Sequence, residues 1–288
     1  STARDRHDML TANVGEIENR GVEFSLNAKV VDHQSLGWNT GVALSHNSNK
    51  VVSISKGEFT REYIELSDLG GAGQTSIFQQ RLTPGAPIGQ FYTWEWAGYN
   101  DEGVSVFYVH DAQTGERTGE TTDTPERKDQ TVTGSPQPKL VLGWNNGLRY
   151  KDFSLDMMFQ GAFGQKIMNA TRARHSNVVG NAGQKNLLAS VLETERMTDR
   201  NAHYLSDRYL ENGSFLRLAS ITVGYKVPVY KMPIKNLNIF ATVNNAFVIT
   251  NYKGIDPEVG LGGLTPGIDN RQTYPRTRTF MFGLNFNL

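Results

Sequence analysis

The stretch best equipped to meet a ligand is Phe91-Tyr92-Thr93-Trp94-Glu95-Trp96-Ala97-Gly98-Tyr99, where five aromatic rings and a carboxylate fall within nine residues. Aromatic faces stack on sugar rings, and an adjacent carboxylate such as Glu95 accepts hydrogen bonds from hydroxyl groups. Phe91, Tyr92, Trp94, Glu95, Trp96 and Tyr99 are therefore the candidate substrate-binding residues. The competing role for the same rings is structural, as a small core that holds a long loop together. A second cluster, Arg172, Arg174 and His175, has the charge to meet an acidic ligand or to form a solvated loop face.

Catalytic chemistry finds less support. Asp101, Glu102, Asp111 and Glu116 supply enough carboxylates for a glycosidase pair, but that chemistry depends on their separation, which nothing in the sequence fixes. His7, His33, His46, His110, His175 and His203 show no metal-ligand spacing. There is no Gly-x-Ser-x-Gly elbow and no phosphate-binding glycine loop. The chain has no cysteine, which excludes disulfides and thiolate metal sites. Lysine plus arginine equals aspartate plus glutamate at 29 each, so no global charge points to nucleic acid. The expectation is a protein that is not an enzyme, with no metal, no cofactor and no nucleic-acid partner.

The elements that would position the aromatic stretch are strands. From Thr279 onward, Phe280, Phe282, Leu284, Phe286 and Leu288 alternate with Thr279, Met281, Gly283, Asn285 and Asn287. A period of two puts the first set on one face and the second on the other. Similar alternation marks Gly21–Val31, a strand through Trp38, Thr40, Val42 and Leu44, and a strand running from Leu140 to Tyr150. Further strands fall at Phe153–Phe163, Ser214–Val227 and about Asn236–Ile249. Residues 47–137 read as a long irregular region rich in Gly, Pro and Thr. A short helix is predicted over Asn186–Met197.

Connection lengths alternate. Short ones at 32–35, 151–152 and 228–235 interleave with long ones at 47–137, 164–213 and 250–276. Soluble sandwiches have no reason to segregate their loops by end, whereas outer-membrane barrels pair short periplasmic turns with long extracellular loops. About ten residues with an apolar outer and a polar inner face suit a strand tilted across a bilayer. Trp38, Trp144, Tyr150, Phe153 and Tyr225, near strand ends, fit interfacial girdles. No run approaches the 18 apolar residues of a membrane-spanning helix. The predicted fold class is therefore all-β: an antiparallel transmembrane β-barrel with long extracellular loops. Phe280, Phe282, Leu284 and Phe286 should meet lipid, and Asn285 and Asn287 the lumen.

Seven strands would close with a parallel seam, whereas such barrels are antiparallel and even-stranded. The chain also starts Ser1-Thr2-Ala3-Arg4, without an initiator Met or a signal peptide, which fits either a processed start or a piece of something longer, and residues 1–14 alternate too poorly to supply an eighth strand. Residues 1–288 are thus expected to be the C-terminal part of a larger barrel, both of whose sheet edges pair with strands outside this sequence.

Several segments carry a family resemblance. They are Asn13-Val14-Gly15-Glu16-Ile17-Glu18-Asn19-Arg20-Gly21-Val22-Glu23, Pro84-Gly85-Ala86-Pro87-Ile88-Gly89 before Phe91-Tyr92, and Thr133-Gly134-Ser135-Pro136-Gln137-Pro138-Lys139. Gln160-Gly161 with Gly164 and Phe215-Leu216-Arg217-Leu218 through Gly224-Tyr225 continue the series. Asn251-Tyr252-Lys253-Gly254, Asp256-Pro257-Glu258 and Tyr274-Pro275 complete it. In order and spacing the chain resembles the C-terminal half of SusC/RagA-type TonB-dependent transporters of the Bacteroidota outer membrane. Two features depart from the pattern: the plug domain and TonB-contacting segment are not among these residues, and Leu288 stands where an aromatic is usual.

The resemblance implies a barrel of 22 strands in the cell outer membrane, importing oligosaccharides or peptides. Its partners would be a SusD-like surface lipoprotein, outer-membrane lipid, the remaining N-terminal barrel and plug, and TonB-ExbB-ExbD acting through that plug. From the residues alone, a non-catalytic surface glycan-binding β-protein is the alternative, and a barrel hydrolase a more distant one.

Overall fold

The computed structural model describes residues 15–55, 60–70, 73–111, 113–181, 183, 186–194, 196–230, 234–260, 262–270 and 274–287. Ser1, Thr2, Ala3, Arg4, His7, Asn13, Val14 and Leu288, named above, lie outside them.

Walking the chain, β1 (Glu16–Asp32) and β2 (Leu36–Ser53) form the first hairpin. The connection that follows carries β3 (Ile64–Asp68), β4 (Phe78–Leu82), β5 (Gln90–Trp94), β6 (Trp96–Tyr99), β7 (Ser105–His110), β8 (Arg117–Thr122) and β9 (Gln130–Gly134). Next come the hairpin strands β10 (Leu140–Tyr150) and β11 (Phe153–Phe163). A second connection holds β12 (Lys166–Asn169), α1 (Ala170–His175), α2 (Val178–Asn181), α3 (Val191–Thr194) and β13 (Leu210–Asn212). Then β14 (Phe215–Val227), β15 (Asn236–Thr250), the short β16 (Ile268–Asp269) and β17 (Thr279–Asn287) finish the chain.

Seven strands pair into one antiparallel sheet in the order β1-β2-β10-β11-β14-β15-β17. Each strand lies beside its predecessor in the meander, as the alternating loops required. The sheet is open: among the described residues β1 pairs only with β2, and β17 only with β15. All three short connections fall at one end, all three long ones at the other. No helix among the described residues is long and apolar enough to cross a membrane.

The register builds two chemically distinct faces. One row reads Leu26, Val42, Trp144, Phe159, Leu218 and Phe247 across six strands. Nearer the short turns another reads Leu36, Tyr150, Phe153, Tyr225, Ile239 and Leu284. The opposite face, one residue out of phase, carries Asn27, Gly41, Asn145, Met158, Ser220 and Asn244. Phe282 is 81% exposed and Val22 73%. So broad an apolar face is of the kind that the lipid-facing side of a membrane barrel presents. The eleven residues of β10 span about 36 Å at ~3.3 Å each, which a tilt of ~45° reduces to about 25 Å, the height of a barrel's apolar band. β1 and β2, at 17 and 18 residues, run past it, and their far ends are polar: Glu18, Arg20, Asn47 and Asn49.

Three expectations need correction. Residues 47–137 are not irregular: β2 continues to Ser53, and seven short strands follow in a β3-β4-β5-β9 sheet and a β6-β7-β8 sheet. Strands of four to six residues give too few alternations to be read through the intervening Gly and Pro. The helix expected over Asn186–Met197 shrinks to the single turn α3, while α1 and α2 form upstream. Helices this short do not sustain themselves, so packing against the cap places them rather than propensity. Finally, Trp144 sits mid-strand, stacked on Phe159 with ring centroids 5.0 Å apart. Tyr150, Phe153 and Tyr225 do lie together at the short-turn end, Phe153 4.6 Å from Tyr225.

The long connections fuse into one cap. β16, from the third, pairs in parallel with β12 of the second, and β12 pairs with β13. Phe91 from the first packs with Met168, Ala173, Leu205 and Tyr209 from the second and Ile268 from the third.

Candidate functional site

Within the cap the aromatic stretch divides by burial. Phe91 has no exposed surface and sits in the core just described. Trp94 is 4% exposed, lies edge-on to Tyr204 at 5.0 Å, and donates its indole N–H to the Glu126 carbonyl at 2.8 Å. Both rings therefore hold the cap together and offer no free face. Tyr92, Glu95, Trp96 and Tyr99 are half-buried. Strand alternation sets Phe91 and Thr93 inward and Tyr92 outward in β5, whereas Trp94, on Tyr92's side of the strand, is buried by the Tyr204 ring packed against it.

Cations already cover part of those outer rings. The Arg81 guanidinium lies 3.6 Å from the Tyr92 centroid and 4.1 Å from that of Tyr63. Arg208 stands 4.9 Å from Trp96 and 5.1 Å from Tyr99, and is itself held by Asp199. Trp96 and Tyr99 meet edge-on at 5.3 Å, and the Trp96 indole N–H donates to Ser105 Oγ at 3.1 Å. The stretch is a tier of rings pinned by arginines, with a solvent-facing rim.

Glu95 is the electrostatic hinge of that rim. Arg117 donates Nε–H to Glu95 Oε2 at 2.8 Å and Nη2–H to Oε1, and His110 Nε2 lies 3.2 Å from Oε2. The bond from Arg117, more than any other influence, holds the Glu95 carboxyl below its ordinary range. A depressed carboxylate pKa adds stability that is present above the unfolded-state value and lost as pH falls through the folded one. Acidification below the usual carboxylate range should therefore loosen the packing of Trp94 and Trp96, read as a change in tryptophan fluorescence. Glu95→Gln should flatten that acid limb, and an unchanged limb would remove Glu95 from this role.

The other sequence candidates scatter. Arg172 turns inward to Glu211 at 3.3 Å, and His175 Nδ1 lies 3.0 Å from the Asn186 carbonyl, so these two side chains are engaged within the cap. Asp111 accepts from the Gln113 and Thr114 backbone N–H groups within a turn, and Glu102 pairs with Arg200 at 3.4 Å. Turn and surface contacts account for both.

A second constellation escaped sequence reasoning altogether. Arg217, on the polar face of β14, is 2% exposed, with Nη2 at 2.7 Å from Asp256 and Nε at 2.7 Å from Glu258. Arg276 adds contacts of 3.2 Å to Glu258 and 3.9 Å to Asp256. Asn245 completes the set: its Oδ1 accepts from Arg217, and its Nδ2 donates to the Arg276 carbonyl at 3.1 Å. It does so from a left-handed backbone (φ 52°) at a bulge, where Asn245 and Ala246 oppose Ala219. Asn tolerates that conformation better than most residues, and the bulge re-aims its side chain. The network ties the third long connection to the sheet's polar face. Asp256-Pro257-Glu258 was visible as a motif, but only the fold shows that both carboxylates close on Arg217.

Comparison with known proteins decides what kind of sheet this is. Over 95% of its length the chain is 29% identical to TonB-dependent receptor P3 of Formosa agariphila, and over 96% it is 27% identical to TonB-dependent receptor SusC of Bacteroides thetaiotaomicron. The chain is a relative of the SusC-type TonB-dependent receptors. It spans 29% and 27% of the length of those two receptors. Among solved structures, that of the RagAB peptide transporter superposes on 94% of this chain, and on 29% of the matched chain, with a TM-score of 0.76 at 23% identity. The fold is thus an antiparallel barrel wall of the TonB-dependent transporter kind, with the three long connections as its loop cap. No family model matches the chain.

Proposed function

We propose that this SusC-like chain supplies wall and loop cap to an outer-membrane importer, as the C-terminal part of its barrel. The observation that carries the reading is the sheet's division into a continuous apolar face and a polar one, with all three long connections at one end. A bilayer on one side and an aqueous lumen on the other account for both faces. An open sheet cannot stand in a membrane, because unpaired backbone groups each cost several kcal/mol there, so β1 and β17 pair with strands outside residues 1–288. A plug and a TonB-ExbB-ExbD energy source would belong to the same assembly, by analogy with the relatives named as TonB-dependent receptors.

The fused cap suits a lid partnership with a SusD-like lipoprotein, since it offers far more surface than connecting strands requires. Ligand, oligosaccharide or peptide, would meet the cap at Tyr92, Glu95, Trp96 and Tyr99, with Phe91 and Trp94 as the buried support beneath them. The relatives are named as receptors and importers, which favours transport over hydrolysis. The test is uptake by cells producing the full-length protein. Alanine at Tyr92 and Trp96 together should lower uptake several-fold with normal amounts in the outer membrane, and unchanged uptake would return both rings to a structural role.

A further inference from the structure

Over Ala241 the apolar face of the sheet carries a groove of about 770 Å³. Val223 and Tyr225 of β14 stand on one side of it, Phe282 and Leu284 of β17 on the other, and Ile239 toward the short turns. We infer that this groove seats one acyl chain of an anionic phospholipid whose headgroup lies at Lys235. The inference rests on the import reading, which puts this face against a bilayer with the short turns on the periplasmic side.

Register gives the groove its shape. Val223, Ala241 and Phe282 are partners across three strands, and Tyr225, Ile239 and Leu284 form the next row. A lone methyl group among larger side chains leaves a trough between them. Gly161, another small residue on this face, is covered by the Phe163 ring and buried, whereas at Ala241 the space stays open. On the luminal side the Phe240 ring lies over Gly283 and closes the floor. Strands that complete the barrel extend the wall from its edges and do not cover its outer side.

Charge selects the headgroup. Lys235 continues the outward series Ala241, Ile239 and Leu237, and its backbone N–H donates to the Asn287 carbonyl at 2.8 Å, prolonging the ladder. It stands six positions from Ala241, about 20 Å of strand at ~3.3 Å each. A tilt of ~45° reduces this to about 14 Å, close to one leaflet of a ~30 Å hydrocarbon core. A headgroup at Lys235 therefore puts its acyl chain at the depth of the groove. In the described residues of the two adjacent short turns, 149–154, 226–230 and 234–237, the charged side chains are Arg149, Lys151, Lys226, Lys235 and Asp152. Asp32, one turn further along, is paired with Lys29. Such an excess of cations at a membrane surface favours an anionic lipid over a zwitterionic one. Tyr230, exposed in the same turn as Lys235, adds an interfacial ring.

The experiment uses the full-length protein in mild detergent, titrated with dioleoylphosphatidylglycerol or dioleoylphosphatidylethanolamine and weighed intact by native mass spectrometry. One phosphatidylglycerol should be retained at about a tenfold lower concentration than phosphatidylethanolamine. Ala241→Phe should fill the groove and abolish that retention, whereas Val243→Phe, on the same face but outside the groove, should not. Lys235→Gln should lower the preference for phosphatidylglycerol several-fold, and Lys235→Arg should keep it. Equal retention of the two lipids would overturn the inference, as would retention indifferent to Ala241→Phe. It also falls if Ala241→Phe instead splits a dimer, since the groove would then be an interface between copies. Uptake by cells producing the unaltered protein separates the two failures. Uptake without selective lipid retention removes the lipid site alone, whereas absence of uptake removes the import reading beneath it.

Discussion

Arg217→Met is expected to destabilise the rim where the third long connection meets the sheet by about 3–5 kcal/mol, the usual cost of removing one partner from a buried ion pair. Asp256 and Glu258 have side chains only 8% and 9% exposed, and Arg276, itself half-exposed, would remain as their sole cation in the network. Two carboxylates would then face one another in a poorly hydrated site. The connection over residues 251–278 should detach before the sheet melts, and limited proteolysis of the full-length protein should cut there early. A companion variant isolates the cause. Combining Arg217→Met with Asp256→Asn and Glu258→Gln removes the uncompensated charge and should recover most of the loss. Equal protease resistance of Arg217→Met and the unaltered protein would mean that the network does not hold the connection.

Phe282→Arg is expected to cost about 2–4 kcal/mol in folding from denaturant into lipid vesicles, the penalty for a cation at mid-membrane on the lipid face of a barrel. Phe282 stands opposite Ala241 near the middle of β17, and its ring points to the face shared with Ile239 and Val243. Asn285, opposite Asn238, is on the polar face, and Asn285→Arg should be close to neutral. The contrast between the two variants matters more than either value, because register fixes which face each residue takes. Equal effects would mean that the sheet's two faces see the same solvent.

Why the wall was legible and the cap was not follows from physics. In the wall, side chains meet two uniform solvents, so alternation persists for nine residues or more; β10 and β11 have the bounds that alternation alone predicts. Turn signals sharpened them: Lys151, in a left-handed conformation (φ 52°), opens a two-residue turn between these strands. In the cap, neighbours come from three connections far apart in sequence. Phe91 packs against Met168 and Ile268, and no local pattern announces such a meeting. Ring density marks the 91–99 stretch both as a candidate ligand surface and as a loop core. It could not say that Phe91 and Trp94 would be buried while Tyr92, Trp96 and Tyr99 kept a rim. Arg217 was hidden for a related reason: a lone arginine in a strand reads as luminal polarity until Asp256 and Glu258 return to it from the next connection but one.

Spin labelling tests the central claim most directly: these 288 residues contain no cysteine, and any cysteine elsewhere in the full-length protein is first replaced by serine. Single cysteines at Val223, Ala241 and Phe282 on the apolar face, and at Asn145, Met158 and Thr222 on the polar one, would each carry a nitroxide in the full-length protein in lipid vesicles. The first three should collide readily with oxygen, which concentrates in the bilayer, and little with a water-soluble nickel chelate. The second three should be shielded from oxygen by comparison. The same accessibility on both faces, or nickel access on the apolar one, would contradict a barrel wall.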